Sequence, residues 1–206
     1  MRYIADVPTT PATEPPPKPS VLTSAARATA VINAFAADHA PEPAALAAIL
    51  RAHGEPEPVH LTAEDADALR TAAARLREVF DAPDTDRAAA ALNRLLRERT
   101  GPLRLTTHGG ATGWHPHLDH DDDAPWDDWL IASSCLALAV LLWERGRPPG
   151  GSCAAARCRN VYLTQGSGLE RRYCSRRCAT RERVAAHRRA RIAATRDGRA
   201  EDDRLN

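Results

Sequence analysis

From Ser20 onward, apolar residues recur every three to four positions. Ala28, Val31, Ile32 and Phe35 form one stripe, and Leu46, Ile49 and Leu50 form a shorter one that ends near Gly54, so two helices are predicted. Leu61-Thr62-Ala63-Glu64-Asp65 reads as a third helix start, with Thr62 as N-cap, acidic residues in the first turn and Leu61 available as a hydrophobic staple. Leu69, Ala72, Ala73, Leu76, Val79 and Phe80 continue it. After Pro83-Asp84, a fourth stripe of Ala88, Ala91, Leu92, Leu95 and Leu96 runs until Gly101-Pro102 stops it. Between Leu103 and Asp119 the period shortens to two. Leu103, Leu105 and Thr107 alternate, and Gly109, Gly110 and Gly113 supply turn residues before Trp114-His115-Pro116-His117-Leu118. The pattern predicts a β-hairpin whose second strand Pro116 confines to an edge. A helix from about Trp126 to Glu144 follows; it is apolar nearly all round from Leu136 to Trp143, as expected of the central, most buried helix.

Composition places breaks in this pattern. Pro15-Pro16-Pro17 and Pro19 make residues 1–20 a disordered leader, and Arg145-Gly-Arg-Pro-Pro-Gly-Gly-Ser152 is a linker by the same criterion. The aromatic fraction is only 4% against 43% hydrophobic residues, so alanine and leucine carry the packing and helix is favoured over sheet. The predicted organisation is therefore mainly α: a helical domain over 21–144 with a small β-hairpin, a linker at 145–152, a compact module at 153–194 and a flexible tail at 195–206. No signal pattern opens the sequence and the apolar run Leu130 to Leu142 is too short to cross a bilayer, so a cytoplasmic protein with no membrane partner is expected.

Charge divides the chain at the linker. Residues 1–143 carry 12 Lys/Arg and 20 Asp/Glu, whereas residues 144–206 carry 16 and 7. A basic tail on an acidic body predicts a polyanionic partner for the tail, or the body itself.

The tail also holds four of the five cysteines, as Cys153-x4-Cys158 and Cys174-x3-Cys178. That spacing lets four thiolates converge on one tetrahedral zinc. A module of about forty residues with few large apolar side chains needs such an ion for stability, and a full set of sulfur ligands predicts a structural site. Val161-Tyr162-Leu163 and Arg171-Arg172-Tyr173 flank Gly166-Ser167-Gly168 as a predicted hairpin. Ser175 is placed to cap a helix from about Arg176 to Ala194, with Cys178 in its first turn. Knuckle, hairpin and helix make a treble-clef-like zinc finger. Arg177, Arg181 and Arg188 fall near one face of the helix; together with Arg171, Arg172, Arg176 and Arg191 they form a candidate nucleic-acid-binding surface.

The C-x4-C pair, the arginines before Tyr173-Cys174-Ser175, the C-x3-C pair and the Arg-rich helix together resemble the CGNR zinc finger. In that family the finger follows a helical ABATE domain. Val31-Ile32-Asn33 stands where that family has Phe-Val-Asn, and the Leu61-Thr62 helix start, the hairpin and the long helix follow in the same order. The resemblance covers roughly residues 25–192. It departs at Ala179-Thr180, which replaces Gly-Asn in the family's Cys-Gly-Asn-Arg signature and keeps only Cys178 and Arg181. It implies a DNA-binding transcription regulator; with the cysteine spacing and the charge division, the expectation is that the N-terminal domain senses a signal or oligomerises.

The remaining candidates are weaker. Cys135 stands alone in an apolar helix and reads as a small buried hydrophobe. His115, His117 and Asp119 alternate on one strand face with His108 and His120 nearby, a pattern shared by metal sites and solvated rims. No nucleophile–base constellation, phosphate loop or dinucleotide fingerprint occurs, so no enzyme is expected. The alternative to a regulator is a protein-interaction adaptor whose finger is a structural clip and whose basic helix docks on an acidic protein partner or on its own N-terminal domain; a homodimer is a further candidate partner.

Overall fold

The computed structural model describes residues 20–110, 112–121, 123–164 and 171–205. The predicted leader, the Gly166-Ser167-Gly168 turn and Leu169 lie outside the described residues, apart from Ser20. Polar side chains start most of the helices by accepting from the unpaired N–H groups of the first turn. Helix α1 (Val21–Phe35) follows Ser20, whose Oγ accepts from the Thr23 N–H at 3.0 Å. Helix α2 (Pro43–Ala52) instead begins with Pro43, whose ring fixes a helical φ. Helix α3 (Ala63–Phe80) opens on the predicted Thr62 in a reciprocal capping box: Asp65 N–H donates to Thr62 Oγ1 at 3.1 Å, and Thr62 N–H to Asp65 Oδ2 at 2.8 Å. Asp84 caps helix α4 (Thr85–Arg99).

Strands β1 (Arg104–Thr106) and β2 (His115–His117) form the predicted antiparallel hairpin, with Leu105 opposite Pro116. Helix α5 (Trp126–Arg145) runs through the middle of the bundle, packing against α1, α3 and α4. Leu130, Ile131, Leu138 and Leu141 are buried with Leu69, Leu76, Phe80 and Leu95 in one core. The buried stretch of α5 ends at Leu141, sooner than its composition predicts, and Trp143 is 81% exposed. Among the described residues, α5 is the one helix long and apolar enough to cross a bilayer, contrary to the expectation from its shorter uncharged run; here its buried side chains pack against its three neighbours. Gly146, left-handed at φ +61°, closes it by donating its N–H to Leu142 O.

Three expectations about the second half need correction. The predicted linker contains a strand, β3 (Gly150–Ser152), and it is β3 that pairs with β4 (Val161–Leu163), in place of Arg171–Tyr173. Glycine makes this possible. A Cβ on Gly150 would sit 2.1 Å from the Tyr162 carbonyl oxygen and 2.8 Å from the Phe80 ring. The hairpin packs on α1 and α3, and Val161 and Leu163 belong to the same core as α5. Asn33 fixes it at the end of α1: its Nδ2 donates to Val161 O at 3.1 Å, and its Oδ1 accepts from Val161 N–H at 2.7 Å. Arg77 Nη1 donates to Arg159 O at 2.6 Å, and Arg145 donates to Thr164 O. The cysteine module is thus anchored in the helical domain. Helix α6 (Arg176–Leu205) completes the chain, with its backbone helical past the predicted end near Ala194 and through the stretch assigned to a tail.

Candidate metal centre and basic helix

The cysteines are delivered by backbone already held at both ends. Beyond β3, Cys153 N–H donates to Asn160 O and Cys158 N–H to Ala155 O, each at 2.9 Å, which closes the first knuckle. Ala154 N–H donates to Arg172 O at 2.8 Å and brings the second ligand pair alongside. Ser175 starts α6 as predicted, its Oγ accepting from Cys178 N–H at 3.2 Å, so Cys178 sits in the helix's first turn. The side chains of Cys153, Ala155 and Cys178 are buried together, with Cys158, Tyr173 and Cys174 packed around them.

The four sulfurs converge. Cys174 Sγ lies 3.6 Å from both Cys158 Sγ and Cys178 Sγ, and all four ligand atoms lie within 4.8 Å of one another. Sulfurs bound tetrahedrally at about 2.3 Å from one ion would stand roughly 3.8 Å apart, so the cage fits zinc. None of the four cysteines is paired in a disulfide. Burial and the adjacent thiols push the Cys174 thiol upward, whereas the Ser175 hydroxyl draws Cys178 downward. Four sulfurs this close cannot all ionise without a cation between them, and a divalent ion removes that conflict. Cys174 N–H donates to Cys153 Sγ at 3.4 Å, and Arg181 Nη2 to Cys178 Sγ at 3.6 Å, so the surroundings also favour thiolate. Cys135 takes no part: buried in α5, its thiol is pushed up to about 12 by desolvation.

The profile of the family described as "CGNR zinc finger" matches residues 151–191, and that of ABATE, described as "Putative stress-induced transcription regulator", matches residues 23–145. The chain belongs to the ABATE family. No curated protein matches the chain. In this ABATE protein the CGNR finger carries one structural zinc site, formed by Cys153, Cys158, Cys174 and Cys178. The two matched segments meet at the β3–β4 hairpin. Asn33, the last residue of the Val31-Ile32-Asn33 motif, is one of the residues that clasp them together.

The predicted nucleic-acid residues divide into two groups. Arg171 braces the finger: its guanidinium donates to the carbonyls of Leu163, Tyr173 and Cys174 and lies over the Tyr162 ring. Arg172, Arg176, Arg177, Arg181, Arg188 and Arg191 are exposed. At helical spacing Arg177, Arg181, Val184, Arg188 and Arg191 share one stripe of α6. Glu182, on another face, accepts from Ala156 N–H at 3.2 Å and ties α6 back to the knuckle. Sequence reasoning missed Glu182 and Arg77 as supports. The groups they hold in the finger include the Ala156 N–H and the Arg159 carbonyl, backbone atoms that leave no trace in a pattern of side chains.

Proposed function

We propose that this ABATE protein is a transcription regulator, not an enzyme, which contacts DNA through the exposed arginine stripe of α6 while the helical domain senses a signal or oligomerises. The observation that carries this reading is the placement of α6. Among the described residues it packs against none of α1 to α5. Glu182, the one carboxylate between Arg176 and Arg191, is occupied at the knuckle and leaves the stripe positive. Arginines spaced along a helix suit phosphate oxygens along a duplex, and Arg172 and Arg176 extend the same charge around the helix start.

A gel-shift titration over salt tests the proposal. The zinc-loaded protein should bind duplex DNA with an affinity that falls steeply with salt, and Arg181→Ala with Arg188→Ala should flatten the slope by about two. No DNA affinity at low salt would end the reading. Replacement of the family's Gly-Asn by Ala179-Thr180 favours a second reading, an adaptor that presents the same stripe to an acidic protein. The double variant would then lose a protein partner while any DNA binding stayed unchanged.

A further inference from the structure

The β1–β2 hairpin gathers three imidazoles. His108 Nε2 lies 3.2 Å from His115 Nε2, which lies 3.0 Å from His117 Nε2. The rings meet with centroids 4.8–5.0 Å apart, two of the pairs edge-on. The other nitrogens of two rings each face an acceptor. His115 Nδ1 is 2.8 Å from Gly113 O, an atom that can only accept, so Nδ1 carries the proton. His117 Nδ1 is 2.8 Å from both oxygens of Asp119, whose carboxylate is in turn held by Arg104 Nη2 at 2.6 Å. With both rings neutral, each turns a bare Nε2 lone pair toward the other. Such pairs repel at 3.0 Å unless a cation lies between them.

We propose that His108, His115 and His117 form a second metal site, binding a first-row divalent ion of the zinc type through their three Nε2 atoms. Two nitrogens held at about 2.0–2.1 Å from one ion, at angles of about 90–110°, stand roughly 2.8–3.4 Å apart, and both observed separations fall in that range. An Nδ1–H donated to a carboxylate or backbone carbonyl is the outer arrangement that orients a ligating histidine; His117 has the first and His115 the second. His115 and Asp119 are buried, which keeps water from competing for these bonds. The hairpin backbone is bent to serve the cluster. His108 is the one described non-glycine residue with positive φ, at +48°, and that turn brings its ring back over β2. Imidazole ligands without thiolate suit zinc, cobalt, nickel or copper over calcium or magnesium. Three protein ligands leave at least one position for water or a small exogenous ligand, unlike the closed four-sulfur cage. The site stands independently of whether α6 contacts DNA.

Titration of Co2+ into the full-length protein with zinc already in its finger tests this assignment. One further equivalent should bind, giving visible d–d absorption without the thiolate-to-metal band that cysteine ligands would produce. His115→Asn with His117→Asn should abolish that equivalent while the finger zinc, measured by elemental analysis, stays at one per chain. Asp119→Asn, which keeps all three ligands, should weaken Co2+ binding by about 10- to 100-fold. Circular dichroism checks that each variant is folded. If wild-type protein takes up no second equivalent of Co2+ or Zn2+, or if the double histidine variant takes it up equally well, the assignment is wrong.

Discussion

Asn33 does with one amide what a neighbouring strand would do with a peptide group: it donates to and accepts from the same residue, Val161. Replacing it with alanine leaves a buried N–H and C=O unpaired at the edge of the core. Asn33→Ala is expected to cost about 1–3 kcal/mol, read as a lowered urea midpoint. The Val161 amide should exchange with solvent faster in the variant. Asn33→Asp should restore little, since a carboxylate can accept from Val161 N–H but faces its carbonyl with like charge. The sequence marks this residue through the Val31-Ile32-Asn33 motif, yet nothing local to Asn33 identifies a partner 128 positions away. The zinc ligands are the opposite case. Their chemistry lies in short spacings, so Cys153, Cys158, Cys174 and Cys178 are readable directly, whereas the convergence of three histidines depends on a left-handed turn at His108 that no spacing announces.

At the level of elements, the stripes of apolar residues locate α1 to α5 because each helix buries one face against its neighbours. The β3 strand is invisible to the same reasoning. Gly150 and Gly151 carry no side chains to alternate, and what identifies the strand is the space that glycine leaves beside Phe80 and Tyr162. Gly150→Ala therefore forces a Cβ into the Tyr162 carbonyl. It should destabilise the protein by about 1–3 kcal/mol, the usual range for an overpacked core position. For a chain of this size that corresponds to a melting temperature lower by very roughly 2–12 °C. Gly109→Ala, where a Cβ would meet nothing within 4 Å, provides the control for the bare backbone effect of substituting a left-handed glycine.

For the whole molecule, the apolar core and the cysteine cluster are separate bodies of buried side chains joined through β3 and β4. Removing zinc should therefore unfold the knuckles and the start of α6 while leaving α1 to α5 intact. Far-ultraviolet circular dichroism should show a partial loss of helix on chelation, with the main thermal transition retained. Thiol titration of the chelated native protein should find four reactive cysteines, with Cys135 still protected by α5. The division by charge at the end of α5 differs from the division by packing, because Val161 and Leu163 lie beyond the charge boundary and still fill the helical core. This has an evolutionary side. A finger that lends two side chains and a strand to its host cannot be shuffled between proteins as a cassette, and a gene fragment beginning at Cys153 would leave β4 without its partner strand. The two halves have to be inherited together, and a change on the α1 face that receives β4 would call for a compensating change in the finger.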